Sequence, residues 1–252
     1  MTVLIKYPRQ TKSRNKIFFE KKELTNLDWC KWAGWCDTDI NFEKTYSRVA
    51  LRLRDRQPVE LFSKIFETSL RYTEHDTITP EPYRKEYRCK EYKGVLTGEK
   101  GKWFTENVYP FLLDQKKKNY AARLLGYRPE SKNFSDWTPD ELTYYLATAL
   151  DGDGSFNLYL GKNVTSIRAT LCSSDIQYLS DVKYLAEKKL GIIFQISEVK
   201  TYMTQKGERT NYQLYTFGGQ KHPMHQGFFQ SLVRDGVMTL DRKKQRVQRF
   251  VN

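Results

Sequence analysis

Leu146-Ala147-Thr148-Ala149-Leu150-Asp151-Gly152-Asp153-Gly154 is a stripe of small and apolar residues ending in Asp-x-Asp, and Trp32-Ala33-Gly34-Trp35-Cys36-Asp37-Thr38-Asp39-Ile40 is a second version of it. An aromatic follows each at the matching place, Phe156 and Phe42. The second acids, Asp39 and Asp153, lie 114 residues apart, the length of one compact αβ unit. The chain therefore reads as a tandem duplication.

The repetition continues beyond the motifs. Each is followed by an alternating run and then by an amphipathic helix by spacing, Pro58 to Leu70 in one half and Ile176 to Leu190 in the other. Hairpin material comes next, at Tyr83 to Trp103 and at Ile192 to Phe217, the latter turning around Lys206-Gly207. Each half closes on a helical segment opened by a matching run, Leu113-Asp114-Gln115-Lys116-Lys117 against Leu240-Asp241-Arg242-Lys243-Lys244. That pairing sets Lys116 against Lys243 and leaves 13 extra residues in the second half, expected in its hairpins or in the His222-Pro223 loop. The domain reading is a basic N-terminal extension at 1–24, a first half at 25–126, a linker at 127–136 and a second half at 137–252. Thr138-Pro139-Asp140-Glu141 is a capping box with proline at the first helical position, and Thr25 or Asn26 opens the first motif helix.

Composition narrows the partner. The 43 Lys+Arg residues outnumber the 30 Asp+Glu, giving a formal net charge of +13, which favours a polyanion. No apolar run approaches the ~18 residues that span a bilayer, and the cations are spread along the chain, so nucleic acid is favoured over membrane. Cys30, Cys36, Cys89 and Cys172 form no CxxC pair and read as reduced thiols, mostly small core residues, of an intracellular protein. The basic, acid-free stretch from Met1 to Lys16 suits an arm lying on phosphates, or a transit peptide without the usual serine content.

The two motifs resemble the paired copies of the LAGLIDADG motif in single-chain homing endonucleases, over roughly residues 25–250. The resemblance implies an α+β fold of two pseudo-twofold-related αββαββα-type halves, with antiparallel DNA-binding sheets and a central two-helix interface. It implies a monomeric, site-specific endonuclease that cuts both strands of a long asymmetric DNA target with Mg²⁺, or Mn²⁺ or Ca²⁺ in the same site, and leaves short 3′ overhangs. In that family the second acid of each motif binds the metal, which falls here on Asp39 and Asp153, while Asp37 and Asp151 take structural roles. Similar proteins also place a Lys, Gln or Arg on the segment opening the last helix of each half, here Gln115 with Lys116 and Arg242 with Lys243. The chain departs from the pattern at Ile40, which replaces the final glycine and would be strained in a left-handed cap, a role left to Asn41. Thr148 replaces another glycine and must fit the helix seam.

The residues also support the chemistry directly. A carboxylate at a helix C-terminus is disfavoured unless a cation compensates it, so two such ends side by side make a divalent-cation site. An EF-hand fails, because counting from Asp151 places Phe156 where glycine is needed and Lys162 where glutamate is needed. From Arg48 to Arg56, apolar Val49, Leu51 and Leu53 alternate with Arg48, Ala50, Arg52, Arg54 and Arg56, the period of a strand with an arginine-lined face. Such a face suits guanine edges and phosphates. Arg168 in the second half, Arg84, Arg88 and Lys90 on the next run, and Lys200, Tyr212 and Gln213 extend the candidate DNA surface. His75, His222 and His225 make no zinc pattern. Two other readings stand beside the endonuclease: an RNA maturase with intron RNA as partner, and a DNA-binding relative without catalysis.

Overall fold

The computed structural model describes residues 23–78, 86–160, 165–204, 207–219 and 223–252. The basic arm, Arg84, the turn residue Lys206 and His222 lie outside the described residues. The first half runs α1 (Asn26–Thr38), β1 (Ile40–Glu43), β2 (Arg48–Leu53), α2 (Arg56–Ile65), β3 (Arg71–Ile78), β4 (Glu86–Leu96), α3 (Glu99–Val108) and α4 (Gln115–Leu125). The second repeats it as α5 (Pro139–Gly152), β5 (Gly154–Leu160), β6 (Thr165–Ser173), α6 (Ile176–Leu190), β7 (Gln195–Thr204), β8 (Gly207–Gly218), α7 (Pro223–Leu232) and α8 (Asp241–Val251). Each half thus carries one helix more than the αββαββα expectation.

Both sheets are antiparallel and wired identically, β1-β2-β4-β3 and β5-β6-β8-β7. The first hairpin differs most, with strands of four and six residues in the first half and seven and nine in the second. Two expectations are corrected by the strand ends. The second hairpin of the first half starts at Arg71, and Trp103 lies in α3, because Gly98 with φ +60° breaks the chain out of β4 two residues past Leu96. β2 stops at Leu53, and Arg56 opens α2, where its guanidinium pairs with Glu60 one turn on.

The motif helices α1 and α5 pack against each other as the seam between the halves. Thr25 is the N-cap of α1, and its reciprocal bonds with Asp28 repeat those of Thr138 with Glu141 at α5. Small residues allow the close approach. A Cβ added to Gly34 would strike the Thr148 hydroxyl and the Tyr145 carbonyl, and stand 2.9 Å from the Ala149 nitrogen. Thr148 fits because its hydroxyl reaches across the seam to the Lys31 carbonyl at 2.7 Å. Around this seam a single apolar core runs through both halves, with Trp29, Trp32, Phe62, Phe66 and Phe104 edge to face in the first. Cys30 and Cys36 belong to it, whereas Cys89 is half-buried and Cys172 is exposed. Among the described residues no helix is long and apolar enough to cross a membrane.

Candidate active site

Both motif helices deliver their second acid at the C-cap. Asp39 ends α1 with φ −113°, ψ −20°, and Asp153 ends α5 with φ −82°, ψ 9°. Neither helix uses a left-handed residue there, so Ile40 enters β1 without strain and Asn41 has no capping role. Gly154 is instead fixed by space, since a Cβ would stand 2.9 Å from the Leu150 carbonyl carbon. The two helix ends abut: a Cβ on Gly152 would collide with the Thr38 hydroxyl and the Asp39 carboxylate. Burial, and then the negative charge of Asp153, push Asp39 up to about 6. Burial also raises Asp153, opposed by Lys117 and Lys243. One oxygen of Asp39, Oδ2, is buried without any hydrogen-bond partner.

The first acids are structural. Asp37 accepts the amides of Leu113 at 2.7 Å and Asp114 at 3.3 Å, and the Tyr145 hydroxyl at 2.6 Å. Asp151 accepts the amides of Thr239 at 2.6 Å and Leu240 at 3.1 Å. Each therefore staples its motif helix to the start of the last helix of its own half. Burial lifts Asp37 to about 7 and Asp151 to about 6 in spite of these bonds.

These staples correct the pairing of the closing segments. Leu113 corresponds to Thr239 and Asp114 to Leu240, so Lys117, and not Lys116, is the counterpart of Lys243. Lys117 Nζ donates to the carbonyls of Ile40 at 2.7 Å and Thr38 at 3.5 Å. Lys243 Nζ, buried, reaches the carbonyls of Leu150, Gly152 and Gly154 at 2.8, 3.2 and 2.7 Å, and that of Asp151. These ammonium groups offset the negative ends of α1 and α5. Burial pushes Lys243 down to about 8. Lys117 was missed because the charge run was matched instead of the apolar stripe. Ala121 and Leu124 of α4 against Val247 and Phe250 of α8 give the true register.

The four sequence candidates on these segments fall in different places. Gln115 is exposed and donates to Asn119 at 3.2 Å, and it does not line the cleft at Asp153. Lys116 lines a cleft of about 350 Å³ with Thr38, Lys117, Asp153, Ser173 and Asp175. Arg242 makes a two-pronged pair with Asp55, at 3.1 and 2.8 Å. Lys243 is the carbonyl-capping residue just described. Among the described residues no cluster of three or more His, Cys, Asp or Glu is found. The acids nonetheless fit a cation such as Mg²⁺, which takes one or two carboxylates and completes its shell with water and phosphate. The unpartnered Asp39 oxygen is an acceptor such an ion would satisfy.

The sheets present unlike outer faces. On the first, Arg48 and Arg52 stand with Lys93 and Arg71, since Arg52 and Arg71 both pair with Lys93 across the ladder. Burial, then the neighbouring charges of Arg52 and Arg48, lowers the Lys93 pKa. Sequence reading missed Lys93 and Arg71, which sit singly in their runs. Glu43 pairs with Arg48 at 3.1 Å, and Arg54 is exposed just past the strand. Arg88 and Lys90 share the opposite face, which carries the helices, and both pair with Glu74 there. Gly94, two steps in register from Tyr92 and packed under Phe62, marks that face. On the second sheet Arg168 stacks on Tyr215 at 4.2 Å and on Phe217 at 5.5 Å. Gln213 shares its side and donates to Ser197 at 2.9 Å, and exposed Lys200 stands opposite Asn211 on that same side. Tyr212 packs inward against the core and is no outward contact.

A duplicated α-β-β-α-β-β unit with an acid at each central helix end defines the class. Residues 140–221 match the family described as a LAGLIDADG-like domain, and the first half repeats that unit strand for strand. That match covers the second half, from early in α5 to just past β8. Among solved structures, the homing endonuclease I-WcaI bound to its DNA recognition sequence aligns with 12% identity over 90% of this chain and 88% of its own, TM-score 0.49. Full-length DUF199/WhiA from Thermatoga maritima aligns with 9% identity over 92% of this chain and 62% of its own, TM-score 0.45. The N-terminal LAGLIDADG domain of DUF199/WhiA aligns with 9% identity over 92% and 90%, TM-score 0.44. No curated protein matches the chain in sequence.

Proposed function

We propose that the protein is a divalent-metal-dependent, site-specific endonuclease that cuts both strands of a DNA duplex. The observation that carries this reading is the pair Asp39 and Asp153 at abutting helix ends, one acid from each half, with a buried carboxylate oxygen left unpartnered. A cation bound there, Mg²⁺ above Mn²⁺ or Ca²⁺, supplies water activation and neutralises charge on the scissile phosphate. The chain's own residues do the rest. Asp39 and Asp153 hold the ion, and Lys117 and Lys243 keep the two helix ends in place. Lys116 offers a cation beside Asp153 for a backbone phosphate. In the hydrolysis a water oxygen bonds to phosphorus, the bond to O3′ breaks, and the proton lost by water is balanced by one gained at O3′. The products are a 5′-phosphate and a 3′-hydroxyl, staggered as short 3′ overhangs.

The first sheet's cations, Arg48, Arg52, Arg71 and Lys93, bind phosphates and guanine edges of one half-site. Arg168, Gln213 and Lys200 contact the other. Two such platforms about a central site span roughly two helical turns, ~20 base pairs. Both acids lie in one chain, so the active form is a monomer. The test is incubation with a plasmid carrying a target selected from a randomised duplex library, with Mg²⁺ or with chelator. Linearisation only with the metal is expected. Tight duplex binding with no cleavage in any divalent ion would make the protein a DNA-binding relative, and preference for intron RNA would make it a maturase.

A further inference from the structure

The two sides of the acid pair, which the duplication makes equivalent, are not in the same state. On one side Asp175 is the N-cap of α6 and accepts the amides of Gln177 and Tyr178 at 2.9 and 3.2 Å, and the cleft between it and Lys116 is open. On the other side the matching N-cap of α2, Asp55, makes no capping bond. Pro58 at the third position of α2 lacks the amide that Tyr178 supplies to Asp175. The Asp55 carboxylate takes the Arg242 guanidinium of the other half instead, through two hydrogen bonds. Gln57 closes the same spot, donating to the Asp241 carboxylate and accepting the Asp241 amide at 3.2 Å. The acids follow suit: Asp153 is exposed at the open cleft, whereas Asp39 is half-buried with Oδ2 sealed from solvent.

We propose that the two half-sites are unequal in the free protein: the cleft beside Lys116 and Asp153 is open to a backbone phosphate, while its counterpart is latched by Asp55 on Arg242. Arg242 is a positioning residue that must leave Asp55 for a phosphate before the second strand is cut. This rests on the endonuclease reading for its kinetic consequence, but not for its binding consequence. Arg is suited to the exchange, because carboxylate and phosphate offer its planar fork the same two-pronged geometry.

Two measurements test it on the full chain, with the library-selected duplex. In chelator, where nothing is cut, Asp55→Ala frees Arg242 for one more phosphate. Binding should tighten several-fold, and the slope of log affinity against log salt should steepen by about 0.9. Asp55→Asn serves the same purpose if the alanine variant does not fold. Glu187→Gln, which removes an equal charge from the exposed face of α6, should leave the slope unchanged. With Mg²⁺ and a supercoiled plasmid, the wild type should accumulate nicked circles before linear product, and Asp55→Ala should shrink that pool several-fold. Lys116→Ala should slow the first cut and Arg242→Ala the second. One-step linearisation by the wild type, or a salt slope and nicked pool unchanged by Asp55→Ala, overturns the latch. If the wild type cuts nothing, the endonuclease reading fails, and the salt slope alone decides for or against the latch.

Discussion

The two halves agree where the motif helices are held and differ where they meet solvent. In both, the first motif acid staples the start of the last helix, a lysine one turn into that helix caps the carbonyls at the motif end, and the strand order is the same. The outer sheet faces share none of this, being four clustered cations in the first half and, in the second, Arg168 stacked on Tyr215 and Phe217 with Gln213 and Lys200 on the same side. Duplication has kept the interactions that place Asp39 and Asp153 and varied those that would touch a ligand. Under the proposed endonuclease function, an active centre shared between halves would need the former to match, and an asymmetric target would need the latter to differ.

The lysine caps offer the sharpest break. Lys243 satisfies four carbonyls and Lys117 two. Lys243→Met should cost about 3–5 kcal/mol, as for a buried charge whose partners are stranded, and Lys117→Met about 1–3 kcal/mol. Denaturant titration reads both, and equal costs would contradict the unequal burial. Next comes the seam, where Gly34→Ala should cost about 1–3 kcal/mol from overpacking against α5. The same change at exposed Gly227, where a Cβ meets nothing within 4 Å, should not destabilise α7.

If the protein reads bases as proposed, the effects are of similar size and confined to one half-site. Arg52→Ala should lose about 1–3 kcal/mol of binding and relax preference at one or two positions if it grips a guanine. Arg168→Ala should relax the opposite half-site instead. Uniform loss on all sequences, with a shallower salt slope, would make either a phosphate contact.

The smallest effect is on pH dependence. Asp37 is raised to about 7, and Asp39 and Asp151 to about 6. Their contribution to stability is therefore full below the unfolded carboxylate range near 4 and is lost as pH rises through 6 to 7. A cation on Asp39 and Asp153 needs both ionised, so Mg²⁺ should raise the melting temperature by about 2–4 °C near pH 8 and hardly at all near pH 5. Scanning calorimetry with and without Mg²⁺ checks this, and an equal gain at both pH values would place the ion elsewhere.

The motif helices were legible because their small-residue stripes, capping boxes and terminal acids are local features. What failed was register and side. Matching Leu-Asp-x-Lys-Lys by letter put Lys116 opposite Lys243, although the buried Ala121 and Leu124 against Val247 and Phe250 fix a different alignment. Alternation showed that Arg88 and Lys90 share a face, but period two does not say which face. The packing of Phe62 over Gly94 decides that, and it is a long-range contact. Arg56 looked like strand because the alternation outlasts β2 on paper, whereas the N-cap position of Asp55 ends it. The Asp55–Arg242 pair joins residues 187 apart and leaves no local signature.

In the proposed mechanism Asp39 and Asp153, one from each half, serve one shared centre. Single-turnover cleavage of the target plasmid by Asp39→Asn and by Asp153→Asn, with binding followed in Ca²⁺, tests it most directly. Each single variant should bind within a few fold of the wild type and cut neither strand. A variant that still nicks one strand at the wild-type rate would show two independent centres instead of one.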